Sequence, residues 1–374
     1  MYYTLSLSTT NLKTKMKALS ILTVSFFFFL ISCRKDEFTE LPAGTTPYVL
    51  DLPENLAQYL PEMEIPADNP LTVEGVALGR KLFYEKKLSG DHTQSCADCH
   101  FPDKAFSDVV DFSIGIDGSI GTRNAMPVIN VGWMNTLFWD GRSVSVEDQA
   151  FGPVVNPVEM KNTWAKAVSD LQSDPEYPAL FKKAFGTDVI DSVLVVKAIA
   201  QFERTLISGN SPFDKYLRGE PTGWSEADIL QAYQGYALFM DETKGDCFHC
   251  HGDQYNPLWT DNSFHNNGLD AVITDKGLGA VTNNPNDDGK FKTPTLRNLA
   301  YTAPYMHDGR FATLDEVLMH YSFGLQNSPT IDPLMKSVDA GGVQLSVTER
   351  NLIKKFLLSL SDDEFVTNPN FSAP

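Results

Sequence analysis

Cys96-Ala97-Asp98-Cys99-His100 and Cys247-Phe248-His249-Cys250-His251 decide the fold of this 374-residue chain. Each is a Cys-X-X-Cys-His motif, a spacing typical of covalent attachment of a c-type haem. In such a site the two thiols add to the haem vinyl groups, and the histidine binds the iron. The alternatives are a zinc site, which would pair all four thiolates in one cluster, and a redox dithiol. Zinc gives no reason for a histidine after each cysteine pair, so the sequence favours two haems.

The cysteine count and the first 33 residues indicate the compartment. Four of the five cysteines belong to the haem motifs, so none remains to form a disulfide with the fifth, Cys33. An apolar run over residues 19–31 follows three lysines, which is the layout of a signal peptide and is short for a membrane span. Leu30-Ile31-Ser32-Cys33 resembles a bacterial lipoprotein box. We predict a lipoprotein-type signal peptide over residues 1–32, lipidation of Cys33, and a lipid-anchored protein of the periplasm or cell envelope; a plain signal peptide is the alternative.

The chain is strongly acidic. Its formal net charge is −18, and removal of residues 1–32, which carry three lysines and no acidic residue, makes it −21. This charge disfavours nucleic acid as a partner and would steer a basic protein toward the surface at low salt. A role in solubility alone is the alternative, and the charge does not separate the two.

The pattern along the chain predicts a mainly α protein. Residues 33–70 are rich in proline and acidic residues and predict a tether that then wraps onto the body. Apolar residues over 192–208 recur at near-helical spacing. Two further helices are expected to begin after Ser225 and Ser346, because each serine is followed three residues later by an acidic residue.

The second half of the chain repeats features of the first. Trp139-Asp140-Gly141-Arg142 recurs as His307-Asp308-Gly309-Arg310, 168 residues later, and the haem motifs are 151 residues apart. We therefore expect two tandem haem domains related by internal duplication, an N-terminal domain over residues 71–212 and a C-terminal domain over residues 213–365.

The second axial position of each iron separates electron transfer from peroxide chemistry. Tyr321 lies on the same predicted helical face as Leu318, where a ligand of the C-terminal haem could stand; a core tyrosine is the alternative. The 168-residue repeat gives Pro153 as its counterpart, and proline cannot ligate iron. Because no histidine occurs between His100 and His249, we expect the N-terminal haem to be open on its distal side.

Over about residues 71–360 the chain resembles the bacterial di-haem cytochrome c peroxidase family, including its methylamine-utilisation branch of MauG-type oxidases. The segments that carry the resemblance are Leu88-Ser89-Gly90, Gly121-Thr122-Arg123-Asn124, Phe138-Trp139-Asp140-Gly141-Arg142, Gly152-Pro153, Asn156-Pro157-Val158-Glu159-Met160, Phe202-Glu203-Arg204-Thr205, Thr293-Pro294-Thr295-Leu296-Arg297-Asn298 and Thr302-Ala303-Pro304-Tyr305-Met306-His307-Asp308-Gly309.

The resemblance implies a cytochrome c-like fold for each haem domain and a role for each haem. His100 would hold the low-potential haem that reacts with peroxide, and His251 would hold the electron-transfer haem. Trp139 would relay electrons between them, although a core tryptophan is the alternative. Tyr321 occupies the place where the peroxidases carry an axial methionine and the methylamine-utilisation enzymes a tyrosine.

The resemblance also implies a distal pocket and a calcium site. Gln149, Pro153 and Glu159 would line the distal side of the N-terminal haem. A carboxylate there can move a proton between the two peroxide oxygens, and an amide can donate a hydrogen bond to the departing oxygen. A solvated loop acid and a surface glutamine are the alternatives. Asn124 and the carbonyl oxygens of Thr302 and Pro304 would hold one Ca²⁺, which prefers oxygen ligands.

The sequence thus predicts a di-haem c-type peroxidase that reduces hydrogen peroxide to water with electrons from a small cytochrome c or cupredoxin. The alternative is a MauG-like oxidase that modifies a partner protein through a high-valent haem. A pure electron-transfer cytochrome needs both irons six-coordinate, and Pro153 argues against it. Family members are often dimers, so the resemblance also implies a homodimer.

Overall fold

The structure, a computed structural model, describes residues 41–374, so the predicted signal peptide and Cys33 lie outside the described residues. These residues are mainly helical, which confirms the predicted class. The two strands that the structure describes, β1 (Phe264–His265) and β2 (Phe291–Lys292), pair antiparallel. None of the helices within residues 41–374 is both long and apolar enough to cross a membrane.

The helices of the N-terminal half pack around a core that contains Phe83, Phe106 and Phe202. Helix α2 crosses α6 at Gly79, where an added Cβ would stand 1.8 Å from the carbonyl oxygen of Ala198. Only glycine allows the two backbones to approach this closely. The helices are α1 (Glu54–Tyr59), α2 (Val73–Phe83), α3 (Val146–Val155), α4 (Trp164–Ser173), α5 (Tyr177–Phe185) and α6 (Ser192–Glu203).

The helices of the C-terminal half pack in the same way around a second core with Trp259 and Phe356. Helix α8 crosses α12 at Gly235, where an added Cβ would stand 1.9 Å from the carbonyl oxygen of Leu352. The helices of this half are α7 (Pro212–Leu217), α8 (Glu226–Phe239), α9 (Phe248–His251), α10 (Leu278–Thr282), α11 (Leu314–Met319) and α12 (Val347–Ser359). The last helix, α13 (Asp363–Val366), packs against the N-terminal core instead.

The predicted helix starts agree with the structure. Ser225 and Ser346 are the N-caps of α8 and α12, and each side chain accepts a hydrogen bond from the amide three residues later. The helix predicted from residue 192 ends at Glu203 and not at 208. Helix α11 ends at Met319, and the chain continues as one π-helical turn over His320–Gly324.

The loops 168 residues apart have matching local structure. Isolated antiparallel bridges join Leu137 to Ser143 and Tyr305 to Phe311. An Arg–Asp ion pair follows in each loop, Arg142 with Asp140 and Arg310 with Asp308. Ser145 and Thr313 then cap helices α3 and α11. These matches agree with the predicted duplication, which stays a prediction together with its domain boundaries.

Both ends of the described chain pack onto the body. In the predicted wrapping segment, Leu56 is fully buried and Asn55 donates a hydrogen bond to Asp214 at 2.8 Å. At the other end, Phe365 and Phe371 pack into the N-terminal core beside Phe106. The sequence analysis did not foresee this return of the C-terminus to the first half.

Candidate haem sites

The N-terminal Cys-X-X-Cys-His motif folds as a tight turn. Cys96–Asp98 forms one 3₁₀ turn, in which the Asp98 carboxylate accepts hydrogen bonds from the amide and the hydroxyl of Ser95, at 2.8 and 2.7 Å. His100 follows Cys99 in the motif, and its Nδ1 lies 2.7 Å from the carbonyl oxygen of Phe106. A carbonyl only accepts, so Nδ1 carries the proton and Nε2 keeps a free lone pair.

The C-terminal motif has the same arrangement on helix α9. The Nδ1 of His251 lies 3.3 Å from the carbonyl oxygen of Trp259, which again leaves Nε2 free. Phe106 and Trp259 both have positive φ angles, of 59° and 53°, and this turns each carbonyl toward its histidine. An imidazole fixed by a backbone carbonyl on one nitrogen presents the other to a metal in a set orientation.

The electrostatics favour neutral ligands at both sites. Burial lowers the pKa of His100 below its ordinary value and lowers that of His251 to about 4. Burial also raises the pKa of the Cys99 thiol to about 11 and that of Cys247 to about 12. Both histidines are therefore uncharged near neutral pH, with a proton on Nδ1 only, which is the state that binds iron.

The two motifs face different cavities. Cys96, Cys99 and His100 line one of about 270 Å³, the N-terminal cavity. Cys247, Cys250 and His251 line another of about 320 Å³, the C-terminal cavity. All four thiols are free, and residues 41–374 hold no cluster of three or more His, Cys, Asp or Glu side chains that could bind a metal. The single four-thiolate zinc cluster is thus excluded, and the donors in each cavity fit a c-type haem.

The predicted distal residues lie together in the N-terminal cavity. Gln149 and Pro153, four residues apart on helix α3, and Glu159 in the following loop all line it. Among the described residues that line this cavity, His100 is the one histidine. Glu159 accepts a hydrogen bond from the Asn156 amide at 2.5 Å, and burial raises its pKa. A carboxyl group in this setting can exchange a proton with a ligand in the cavity.

Tyr321 lines the C-terminal cavity together with His251, and its ligation of iron stays a prediction. Its hydroxyl accepts a hydrogen bond from the side-chain amide of Asn267 at 3.0 Å. Burial raises the pKa of Tyr321 to about 12, while the bond from Asn267 lowers it. The same amide lies 3.7 Å from the sulfur of Met306, so a second possible axial ligand stands beside the tyrosine.

Trp139 separates the two cavities and lines both. Its indole N–H donates to the carbonyl oxygen of Asn124 at 2.9 Å, and its own carbonyl accepts from the amide of Lys292 at 2.8 Å. The indole therefore lies in the wall between the cavities, and its role in electron transfer stays a prediction.

The three predicted calcium ligands, Asn124, Thr302 and Pro304, all line the C-terminal cavity. The Asn124 side chain donates through Nδ2 to the carbonyl oxygens of Val110 and Asp111, at 3.0 and 3.4 Å. Its Oδ1 accepts no hydrogen bond from the described residues, and amide and carbonyl oxygens are ligands that a hard cation prefers. The calcium site stays a prediction.

The sequence analysis gave no role to several residues that line the cavities, among them Asn267, His265, Glu203 and Lys292. His265 is the second residue of β1, and Asn267 lies just after it in a segment with no recognisable pattern. Glu203 lines the N-terminal cavity, and burial raises its pKa to about 8. The sequence feature that could have identified Glu203 is an acidic residue on the buried face of a predicted helix. Lys292 lines both cavities. It could have been noticed in the sequence because it directly precedes the segment Thr293 to Asn298, which carries the family resemblance.

Comparisons with known proteins agree with this geometry. Residues 73–222 match the family model for di-haem cytochrome c peroxidases. The chain is 34% identical over 321 residues to the methylamine utilization protein MauG of Methylophilus methylotrophus, covering 86% of this chain and 92% of that one. It is 36% identical over 302 residues to the cytochrome-c peroxidase IdrP1 of Denitromonas iodatirespirans, covering 72% and 78%. The crystal structure of a MauG-like protein associated with microbial copper homeostasis superposes with a TM-score of 0.77 at 34% identity, covering 87% and 99%.

The chain therefore belongs to the di-haem cytochrome c peroxidase family, which includes the MauG proteins. This confirms the resemblance stated from the sequence. The family implies two c-type haems, in agreement with one Cys-X-X-Cys-His motif in each cavity.

Proposed function

We propose that this protein is a di-haem c-type peroxidase that reduces hydrogen peroxide to water with electrons from a small cytochrome c or cupredoxin. The observation that carries the proposal is the N-terminal cavity. Besides the neutral His100, it is lined by Pro153, an amide and a buried carboxyl group, and it has no second histidine among its described lining residues. Such a cavity leaves room for a small ligand next to acid–base groups.

The residues around the N-terminal cavity have separate roles in peroxide reduction. When bound, the haem at His100 supplies the iron chemistry of peroxide reduction. Glu159, deprotonated and held by Asn156, takes a proton from the near oxygen of peroxide and returns it to the far oxygen. Gln149 has no side-chain hydrogen bond to the described residues, so its amide is free to donate to the departing oxygen. Two electrons and two protons then convert one peroxide to two waters.

The residues between the cavities support electron transfer. Electrons enter at the site of His251 and Tyr321 and reach the site of His100 through Trp139. The indole lines both cavities, and the hydrogen bond from its N–H to the carbonyl oxygen of Asn124 holds it in place. Tyr321 would hold the second haem iron with its phenolic oxygen. Asn124, Thr302 and Pro304 would hold Ca²⁺ beside this route.

One observation favours a second function, a MauG-like oxidase that withdraws electrons from residues of a partner protein. Tyr321 places a phenolic oxygen in the C-terminal cavity, and a tyrosinate ligand favours ferric iron more than methionine does. A haem of low potential accepts electrons poorly from a high-potential cytochrome. The relatives include both cytochrome c peroxidases and MauG proteins.

The remaining features of the proposal concern organisation. The matching glycine crossings at Gly79 and Gly235 and the loops 168 residues apart support two tandem cytochrome c-like haem domains. A haem attached through thiols, together with the predicted signal peptide and Cys33, supports a periplasmic or cell-envelope protein with a lipid anchor.

The test is steady-state consumption of hydrogen peroxide by the haem-loaded protein, with a reduced small cytochrome c and, separately, a reduced cupredoxin as donor. Peroxidase function predicts two donor molecules oxidised per peroxide. Peroxide consumption without oxidation of either donor, accompanied by oxidation of added protein side chains, would favour the oxidase. No consumption in any of these mixtures would contradict both.

A further inference from the structure

Lys292 is a buried lysine in the wall between the two cavities. Its relative exposure is 1%, and its ammonium nitrogen has no hydrogen-bond partner among the described residues. Lysine is almost never buried to this extent without a partner. The residue lines both cavities, so an anion bound in either could reach it.

The backbone holds Lys292 in this position. The residue lies on β2 opposite Phe264 of β1, and its amide donates to the carbonyl oxygen of Trp139 at 2.8 Å. The side chain therefore starts from a fixed point beside the indole that separates the cavities.

The carboxylate of Asp261 is already paired. Its charge raises the pKa of Lys292, but it lies 2.8 Å from Nε2 of His265 and accepts from the Ser263 amide at 2.9 Å. The other nitrogen of His265 is bound to Asp332. Because no anion is paired with it, the charged form of Lys292 is less stable than it would be in water, and burial lowers its pKa to about 8.

The other cationic side chains of the two cavities differ from Lys292 in one respect. Each of the four has a carboxylate within ion-pair distance in the described part of the chain. They are Arg123 (Asp140 and Asp275), Arg142 (Asp140), Lys244 (Glu349) and Lys336 (Asp246). Neither acid of the N-terminal cavity, Glu159 or Glu203, is bonded to Lys292. A ligand bound in one of the cavities can supply the negative charge that Lys292 does not find among these residues.

We propose that the ammonium group of Lys292 binds a propionate carboxylate of a covalently attached haem. The propionates are the anionic groups of haem, and a buried ammonium–carboxylate pair forms a short, charge-assisted hydrogen bond. Because the backbone of Lys292 is bonded to Trp139, the contact also fixes the haem edge relative to the indole. The inference rests on haem binding and is independent of the choice between peroxidase and oxidase.

The test compares haem-loaded Lys292→Met, which keeps an unbranched side chain one atom shorter and removes its charge, with Lys292→Arg, which keeps the charge. Lys336→Met is the matched control, since Lys336 lines the C-terminal cavity but is already paired with Asp246. The readouts are the propionate bending band in resonance Raman spectra and the midpoint potential of each haem. Removing a cation near a haem favours the ferric state, so the potential falls.

We expect Lys292→Met to shift the propionate band and to lower the midpoint potential of at least one haem, Lys292→Arg to restore the band, and Lys336→Met to leave it unchanged. An unchanged band in Lys292→Met would overturn the inference. If that variant does not fold, a crystal structure of the haem-loaded wild-type protein decides, because an ammonium nitrogen more than 3.5 Å from every propionate oxygen is no hydrogen bond.

Discussion

Replacing Glu159 by glutamine should abolish most peroxide turnover while leaving both haems in place. Glutamine has nearly the same shape and keeps an Oε1 that can accept from Asn156, but it cannot take up a proton. Positioned general acid–base groups contribute about 10²–10⁴-fold to rates. We therefore expect kcat to fall within this range, which corresponds to about 3 to 5 kcal/mol of activation free energy.

The pH dependence gives the same variant a second signature. Burial raises the pKa of Glu159 above that of an ordinary glutamate, while Asn156 and Arg142 oppose the shift. The base acts deprotonated, so wild-type turnover should fall as the pH drops through this raised value. Glu159→Gln should lack that acid limb. Since a raised pKa means that folding disfavours the ionised form at neutral pH, the variant should melt no lower than the wild type.

The assay is initial-rate peroxide consumption with a reduced donor protein between pH 4.5 and 8, with haem content measured on the same samples. Glu62→Gln serves as the control, because it makes the same change at an exposed acid that lines neither cavity. Turnover within about threefold of wild type, or an acid limb that survives in Glu159→Gln, would remove Glu159 from the mechanism.

Three further predictions test the other sites. Trp139→Phe should slow electron transfer between the haems in flash-reduction experiments, whereas Trp133→Phe, at a tryptophan that is equally buried but lines neither cavity, should not. Tyr321→Met should raise the midpoint potential of the second haem by on the order of 0.1 V, within the range of about 0.8 V that axial ligands span. If the potential does not change, or if Met306→Leu changes it equally, Tyr321 is not the ligand. Calcium at about 100 times its Kd should stabilise the wild type by about 2.7 kcal/mol in thermal unfolding, and Asn124→Ala should lose this increment.

The parts of the fold and site that could be predicted depend on short sequence patterns within a single segment. The two Cys-X-X-Cys-His motifs predicted two haems, which the family supports, and serine followed by an acidic residue marked the starts of α8 and α12. Helical spacing put Tyr321 on the same face as Leu318, and both residues line the C-terminal cavity, although the chain widens into a π-helical turn from His320. Ligation of iron by Tyr321 stays a prediction.

Other parts depend on contacts between distant segments, for which a single sequence carries no signal. The return of Phe365 and Phe371 to the N-terminal core is one such contact. The isolation of Lys292 is another, because it depends on Asp261 being bound by His265, which pairs in turn with Asp332. Charge patterns in the sequence show which residues are ionisable, but only packing shows which remain without a partner.

The most direct test of the open N-terminal site is a stopped-flow optical spectrum of the fully ferric protein mixed with one equivalent of hydrogen peroxide. The open cavity beside Pro153 predicts a rapid spectral change and loss of the peroxide without prior reduction of either haem. No reaction until one haem has been reduced would show that a residue closes the N-terminal iron, and would contradict the account.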